Sequence, residues 1–158
     1  DFNDVNLVLV GKADTNEDEA FFRKLVTELD IKDRVLFTGK LPRNDIPAYI
    51  CNAELLALAR PRSIVADAGF PSKVSEYLST GRPVVVTKVG EIPAYLTDGQ
   101  NAFLADPDSV SDFAEKLRLA LMDEAQAMKV GTNGKEIAQS VFNYRFQATR
   151  ILRFLAKK

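Results

Sequence analysis

The sequence predicts an α/β fold in which a mostly parallel sheet has helices on both faces. Short apolar runs bounded by Gly or Pro alternate with longer segments of helical period, which is the pattern of repeated strand–helix units. The 158 residues are 46% hydrophobic and 27% charged, as expected for a globular protein with a real core. No internal repeat and no long linker interrupts the sequence. These observations predict a single domain over residues 1–158.

Five apolar runs predict the strands. Each is short, is rich in Val, Leu or Phe, and is bounded by residues that favour turns. The first run is expected to be buried, the third ends at Pro61, and the three valines of the fourth are assigned to the core. The runs are residues 6–11 (NLVLVG), 34–39 (RVLFTG), 54–59 (ELLALA), 83–88 (PVVVTK) and 101–105 (NAFLA).

Longer segments between and after these runs predict helices, because their apolar residues recur at helical spacing. Ser109 or Ser111 is expected to cap the first helix of the final third, and the sequence GTNG is expected to interrupt the next one. Residues 141–158 are expected to form a C-terminal packing helix. The predicted helices cover about residues 18–29, 44–50, 73–79, 92–96, 109–121, 124–140 and 144–158.

The charge and the residue counts exclude several classes of function. The formal net charge is -1, so the chain lacks the positive electrostatic potential that would attract nucleic acid or anionic lipid. It has no histidine and one cysteine, Cys51, which excludes histidine-based acid–base catalysis, the usual zinc sites and an intrachain disulfide. No run approaches the roughly 20 apolar residues that span a bilayer. A chain that begins at Asp1 without Met is expected to be a fragment, and its location is expected to be cytoplasmic.

The stretch GFPSKVSEYLSTGRPVVV, which begins at Gly69, joins a loop to a helix and a strand of valines. Ligands of an open parallel sheet bind beyond the carboxyl ends of the strands, so this loop is the expected site. Gly69 allows close approach of the backbone, and the N–H groups of Ser72, Lys73 and Val74 would face an anion. Lys73 adds a positive charge, and Glu76, one turn further on, can accept hydrogen bonds from sugar hydroxyls. The pattern predicts a nucleotide-sugar site.

The same residues also suit a purely structural role. Ser72 is a good helix N-cap, and a Glu in the first turn favours the helix dipole. Gly81 followed by Arg82 and Pro83 is an ordinary helix stop before a strand. Glycine-rich phosphate loops of the Walker and Gly-x-Gly-x-x-Gly types do not occur in the sequence. Spacing alone therefore leaves the functional and the structural interpretation open.

A resemblance favours the functional interpretation. GFPSKVSEYLSTGRPVVVTKVGEIPAYLTDGQNAFLADPDSVSDFAEKL closely resembles the C-terminal half of the GT-B glycosyltransferases of family 4, the retaining group that builds bacterial surface polysaccharides. The runs NLVLVG and DRVLFTGKLPRNDIPAYICNAELLAL lie in the order and spacing of that half. The resemblance implies a Rossmann-like, three-layer parallel sheet that binds the sugar donor. It also implies that the N-terminal, acceptor-binding domain is absent from this sequence.

The resemblance implies roles for individual residues of the donor site. In that family the helix start after the glycine-containing loop binds the diphosphate, and this corresponds to Pro71, Ser72 and Lys73 with Gly69. A Glu on the same helix binds the ribose hydroxyls, and this corresponds to Glu76. An Arg and a Lys that clamp the diphosphate in the family lie upstream of this sequence.

Other implied positions depart from the family or match it loosely. The Glu that touches the transferred sugar in the family is replaced by Ala68, so the preceding Asp67 becomes the candidate sugar contact. The nucleobase is expected near the end of the second strand, at Thr38, Gly39 and Lys40.

Two further features are secondary candidates or decoys. Arg60 and Arg62 flank Pro61 near the proposed phosphate site and are candidates to replace the missing clamp, the alternative being a surface ion pair with Asp67. The Asp-Pro-Asp sequence at residues 106–108 imitates a metal-binding motif, but capping of the following helix is favoured. No metal is therefore expected.

The resemblance implies transfer of a hexose from a UDP- or GDP-linked donor to a glycan or lipid-linked acceptor, with retention and without a metal cofactor. The expected partners are the donor, the acceptor and the N-terminal half of the same enzyme, which could also associate with the inner face of the membrane. The fragment alone is expected to be inactive. The alternatives are a non-catalytic nucleotide-binding or interaction module, for which Ala68 is the motivating residue, and a nucleotide-sugar epimerase of the same fold.

Overall fold

The computed structural model describes residues 4–156. The chain divides into two compact units, Asp1–Ala48 and Tyr49–Lys158, which are described separately, and the single predicted domain stays a prediction. The strands of the described chain are β1 (Leu7–Val10), β2 (Val35–Gly39), β3 (Leu56–Leu58), β4 (Val84–Thr87) and β5 (Phe103–Ala105). The α-helices are α1 (Asn16–Glu28), α2 (Ile46–Asn52), α3 (Ile64–Asp67), α4 (Ser72–Thr80), α5 (Ile92–Tyr95), α6 (Val110–Met122), α7 (Glu124–Ser140) and α8 (Tyr144–Leu155).

The first unit contains a parallel strand pair, the helix that connects its strands and a short 3-10 helix at Lys32–Arg34. β1 and β2 pair with Leu7 beside Val35, and α1 begins after Thr15, whose side chain accepts the N–H of Asp18. The side chains of β1 are exposed, from 36% at Leu9 to 49% at Leu7, so the expectation of a buried first strand is wrong within this unit. Two strands and one helix provide too few neighbours to enclose an apolar strand.

β4 is the central strand of the second unit and is buried along its whole length. It lies between β3 and β5 in a parallel three-stranded sheet. Val84 and Val86 pack with Val74 and Leu78 of α4, whereas Val85 packs with side chains of α6 and α7. Helices therefore cover both faces of this sheet, which confirms the predicted α/β class.

The glycines of α7 do not interrupt the helix, contrary to the sequence-based expectation. α7 is continuous over Glu124–Ser140, and both Gly131 and Gly134 are buried within it. A Cβ at Gly131 would lie 2.4 Å from the carbonyl oxygen of Gly81, and one at Gly134 would lie 2.6 Å from that of Asn101. These glycines are therefore needed for close packing of α7 against two loops.

The C-terminal helix and the loop before α4 also differ in detail from the expectation. The predicted helix over residues 141–158 is present as α8, but none of its residues is buried. Residues 157–158 of that range lie outside the described part of the chain. Residues 60–71, for which the sequence predicts neither a strand nor a helix, contain the one-turn helix α3, capped by the Ser63 side chain, which accepts the N–H of Ala66 at 3.0 Å. Within residues 4–156, no helix is both long and apolar enough to cross a membrane.

We predict that Gly131→Ala destabilises the protein, although Ala favours a helix over Gly by about 1 kcal/mol. The added methyl would collide with the backbone of Gly81 and Arg82, and such overpacking costs roughly 1–3 kcal/mol. The free energy of unfolding, measured in urea, checks this. The adjacent and exposed Thr132→Ala is the control and is expected to be neutral or stabilising. Equal stability of the two variants would contradict the packing role.

Candidate functional site

Helix α4 carries the central residues of the predicted site and is anchored by its buried face. Val74 and Leu78 are fully buried in the core, whereas Lys73 and Glu76 are exposed. Residues three apart on a helix share a face, so Lys73 and Glu76 project from the same exposed side of α4. The helix ends at Gly81, whose φ of 79° is left-handed and whose N–H donates to the carbonyl of Leu78, as its sequence predicts.

The start of α4 differs from the sequence prediction in which residue caps it. Pro71 is the N-cap and makes no side-chain hydrogen bond, so Ser72 is the first helical residue rather than the cap. The N–H of Val74 donates to the carbonyl of Pro71 at 3.0 Å, which removes it from the three predicted donors. Within the described residues, the N–H groups of Ser72 and Lys73 and the Lys73 ammonium have no hydrogen-bond or ion-pair partner. The helix start thus offers two N–H donors and one cation.

The carboxylate of Glu76 is exposed and lies close enough to Tyr77 to affect its ionisation. Burial raises the pKa of the Tyr77 hydroxyl, and the negative charge of Glu76 raises it further. The Glu76 side chain has no ion-pair partner in the described structure. It is therefore available to accept hydrogen bonds from hydroxyl groups of a ligand.

The segment that leads from β3 to α4 is tied to β4 at its first residue. The N–H of Arg60 donates to Oγ1 of Thr87 at 2.9 Å, and this hydroxyl donates back to the carbonyl of Arg60 at 2.8 Å. Arg62 forms an ion pair with Asp108 at 3.5 Å rather than with Asp67, which was the alternative expected from the sequence. Because Arg62 and Asp108 are both largely exposed, this pair contributes little stability.

Asp67 and Ala68 lie at the end of α3. Oδ1 of Asp67 accepts the N–H of Gly90 over a long distance of 3.4 Å, so this carboxylate is directed toward the loop after β4. Ala68 is the C-terminal cap of α3, and its N–H donates to the carbonyl of Ile64 at 3.0 Å. Gly69 follows with no neighbouring atom within 4 Å of where its Cβ would lie, so the side of the backbone that its Cβ would occupy is open.

Of the residues predicted on the nucleobase side, Thr38 and Gly39 end the second strand of the first unit and Lys40 follows it. Gly39 has a φ of 65°, which favours glycine, and its carbonyl accepts hydrogen bonds from the Thr38 hydroxyl and the Gly11 N–H. Lys40 is exposed. Their contact with a nucleobase stays a prediction.

The Asp-Pro-Asp sequence has a structural role. Asp106 pairs with Lys88 at 3.6 Å, and Asp108 pairs with Arg62. Ser109 is the cap of α6, since its hydroxyl accepts the N–H of Asp112 at 3.1 Å. In the part of the chain that the structure describes, no three His, Cys, Asp or Glu residues are grouped so that they could hold a metal ion.

Sequence reasoning missed Thr87 and Gly90, which contact the loop before α4. A Cβ at Gly90 would lie 2.4 Å from the carbonyl oxygen of Gly69 and 2.5 Å from that of Ala66. The signals in the sequence are a hydroxyl residue at the end of a valine run and a glycine three positions later. Neither signal indicates the contact until the neighbouring strands are known.

Comparison with known sequences finds a matching family and several named relatives. The family model of the glycosyl transferases group 1 matches residues 1–137. An MMP alpha-(1->4)-mannosyltransferase from Mycolicibacterium hassiacum is 28% identical over 148 residues, which cover 93% of this chain and 34% of the relative. A D-inositol 3-phosphate glycosyltransferase from Corynebacterium efficiens is 24% identical over 92% of this chain and 33% of the relative. The chain therefore spans about a third of the length of these relatives.

Solved structures share the fold. Anabaena Alr3699/HepE, whose structure was determined in complex with UDP-glucose, superposes with a TM-score of 0.81 and 25% identity over 99% of this chain and 42% of that one. The C-terminal domain of a glycosyl transferase group 1 family protein from Francisella tularensis has a TM-score of 0.76 and 24% identity over 88% of this chain and 70% of that one. With a family match over most of its length and the Rossmann-like fold of a GT-B half, this chain belongs to the glycosyl transferases group 1 family.

Proposed function

We propose that this chain is the donor-binding domain of a retaining glycosyltransferase that moves a sugar from a nucleoside diphosphate sugar to a glycan or lipid-linked acceptor. The observation that carries this proposal is the start of α4, where the N–H groups of Ser72 and Lys73 and the Lys73 ammonium lack partners. The UDP-glucose complex of Anabaena Alr3699/HepE supports a nucleotide-linked donor. The names of the mannosyltransferase and glycosyltransferase relatives support glycosyl transfer.

The chemistry assigned to this domain is electrostatic. When the bond between the sugar and the diphosphate breaks, negative charge develops on the departing phosphate oxygen. Donors and a cation that are already oriented stabilise this charge without exchanging protons. We assign this role to Ser72 and Lys73, with Pro71 and Gly69 shaping the approach and Glu76 holding the ribose hydroxyls. Asp67 is the candidate contact to the transferred sugar.

The acceptor and the rest of the catalytic cleft are assigned to another part of the enzyme. Because the chain spans about a third of its relatives, ample length remains for an N-terminal, acceptor-binding domain. The proposed setting is synthesis of a bacterial surface polysaccharide in the cytoplasm or at the inner face of the membrane. Arg60 would supply an additional cation near the donor, whereas Arg62 would first have to leave Asp108.

A non-catalytic nucleotide-binding module is the second candidate, and Ala68 is the residue that favours it. The small side chain at the end of α3 supplies no carboxylate to a transferred sugar. Donor binding without product in a transfer assay of the full-length protein would support this candidate. Formation of a glycosylated acceptor would exclude it.

We predict that Lys73→Ala weakens binding of UDP or GDP to the full-length enzyme by about 10- to 100-fold, because a charge-assisted hydrogen bond contributes roughly 1.5–3 kcal/mol. Calorimetric titration measures this affinity. Lys129→Ala, an exposed lysine on α7, is the matched control and is expected to bind as the wild type does. Unchanged affinity in Lys73→Ala would contradict the diphosphate role.

Glu76 is predicted to discriminate ribose from deoxyribose. The wild type is expected to bind UDP about 10-fold more tightly than 2′-deoxy-UDP, since the carboxylate loses a partner in the deoxynucleotide. Glu76→Ala should bind the two nucleotides equally, whereas Glu136→Ala on α7 should retain the preference. If the preference survives in Glu76→Ala, the ribose contact lies elsewhere.

The reaction is also predicted to proceed without a metal ion. Lys73 and the start of α4 would neutralise the diphosphate in place of a divalent cation. Initial rates of the full-length enzyme should therefore be the same in EDTA and in added Mg²⁺ or Mn²⁺. Loss of activity in EDTA that is restored by the metal would show that a cation participates.

A further inference from the structure

We propose that Thr87 and Gly90, on the exit of β4, are positioning residues that set the path of residues 60–71 and so aim the start of α4 at the nucleoside diphosphate. This inference rests on the proposed function, because it concerns the same site. Neither residue needs to touch the donor. Each acts through a backbone contact with the loop that leads to Ser72 and Lys73.

Thr87 holds the first residue of this loop. The paired register of β3 and β4 ends with Leu58 beside Val86, so Arg60 lies beyond the regular hydrogen bonds of the sheet. The Thr87 hydroxyl replaces them, since it accepts the Arg60 N–H at 2.9 Å and donates to the Arg60 carbonyl at 2.8 Å. Thr87 is only 3% exposed, and water therefore cannot easily take over either bond.

Gly90 supports the other end of the loop. Its φ is +55°, and a Cβ there would lie 2.5 Å from the carbonyl oxygen of Ala66 and 2.4 Å from that of Gly69. Both obstacles are backbone atoms, so no side-chain rotation would relieve the collision. The N–H of Gly90 also donates to Asp67 over 3.4 Å. The contacts thus lie on both sides of Ala68, where the loop passes from α3 toward α4.

The two contacts together explain how an exposed loop is given a defined course. Between its ends the loop is also held by the Ser63 cap of α3, by the buried side chain of Ala66, and by Phe70, which packs against the core and contacts the rings of Tyr95 and Phe142. Only the Cβ position of Gly69 is open, because its carbonyl oxygen lies against Gly90. β4 is a rigid support because it is buried on both faces. The residues at and just after its C-terminal end restrain the loop that precedes α4. A displacement of this loop would lengthen or misalign the hydrogen bonds from Ser72 and Lys73 to the diphosphate and so weaken binding.

Gly90→Ala tests this inference, and the chain offers a matched control in Gly99→Ala. Gly99 has a similar φ of +68° but no atom within 4 Å of where its Cβ would lie, so both variants carry backbone strain and only Gly90→Ala carries the collision. In the full-length enzyme, Gly90→Ala is expected to raise the Kd for UDP or GDP by about 10- to 100-fold, as loss of a charge-assisted hydrogen bond would. Gly99→Ala is expected to change it by less than about threefold.

Thr87→Val and Thr87→Ser provide a second, independent pair. Val keeps the shape but removes both hydrogen bonds to Arg60, whereas Ser keeps the hydroxyl. Thr87→Val should raise the Kd as Gly90→Ala does, and Thr87→Ser should restore it to near the wild-type value. A role in stability alone would reduce the fraction of protein that binds, seen as calorimetric stoichiometry, and would leave the Kd unchanged.

Hydrogen exchange of the amides in residues 60–71, measured without nucleotide, separates this inference from the proposed function. Faster exchange there in Gly90→Ala and Thr87→Val, but not in Gly99→Ala and Thr87→Ser, is the expected result. If these amides exchange alike in all variants, or if Kd is unchanged while Lys73→Ala weakens binding, the positioning role is overturned. If the loop loosens but the wild type binds neither UDP nor GDP, the proposed function fails instead.

Discussion

The candidate site depends on the burial of one strand, β4, between helices on both faces of its sheet. Val84, Val85 and Val86 are at most 1% exposed, and burial of such side chains contributes roughly 1.5–3 kcal/mol each. Val84 and Val86 also contact the buried face of α4, so the strand and the helix that presents Lys73 belong to one apolar cluster. The axis of α4 is thereby fixed by packing rather than by a cap, since Pro71 makes no capping bond, and the course of the chain into its first turn depends on the preceding loop.

The same strand links the interior to the exposed part of the site. Thr87 replaces the hydrogen bonds that β3 no longer provides, and Gly90 packs against the carbonyls of the loop. The ion pairs Lys88–Asp106 and Arg62–Asp108 connect exposed side chains at neighbouring strand exits, where solvent weakens them. The residues assigned to binding of the sugar donor are therefore exposed, and buried residues hold them in position.

The sequence was sufficient to predict what depends on local pattern. The strands, the exposed pair Lys73 and Glu76, and the stop of α4 at Gly81 follow from hydrophobic period and from the left-handed conformation that glycine permits. What it could not predict depends on contacts between distant segments. GTNG suggested a break because glycine weakens an isolated helix, but in α7 the absence of a Cβ at Gly131 allows contact with Gly81. The contacts of Thr87 could not be predicted for the same reason, because they join segments that are distant in the sequence.

The central claim is that a nucleoside diphosphate binds at the start of α4, and NMR titration of the ¹⁵N-labelled protein with UDP and GDP tests it most directly. The amides of Ser72 and Lys73 are predicted to show the largest shift changes, because their N–H groups have no partner in the described structure. The amide of Val74 should change less, since it already donates to the Pro71 carbonyl. Saturable changes confined to residues outside the loop and α4 would contradict the account.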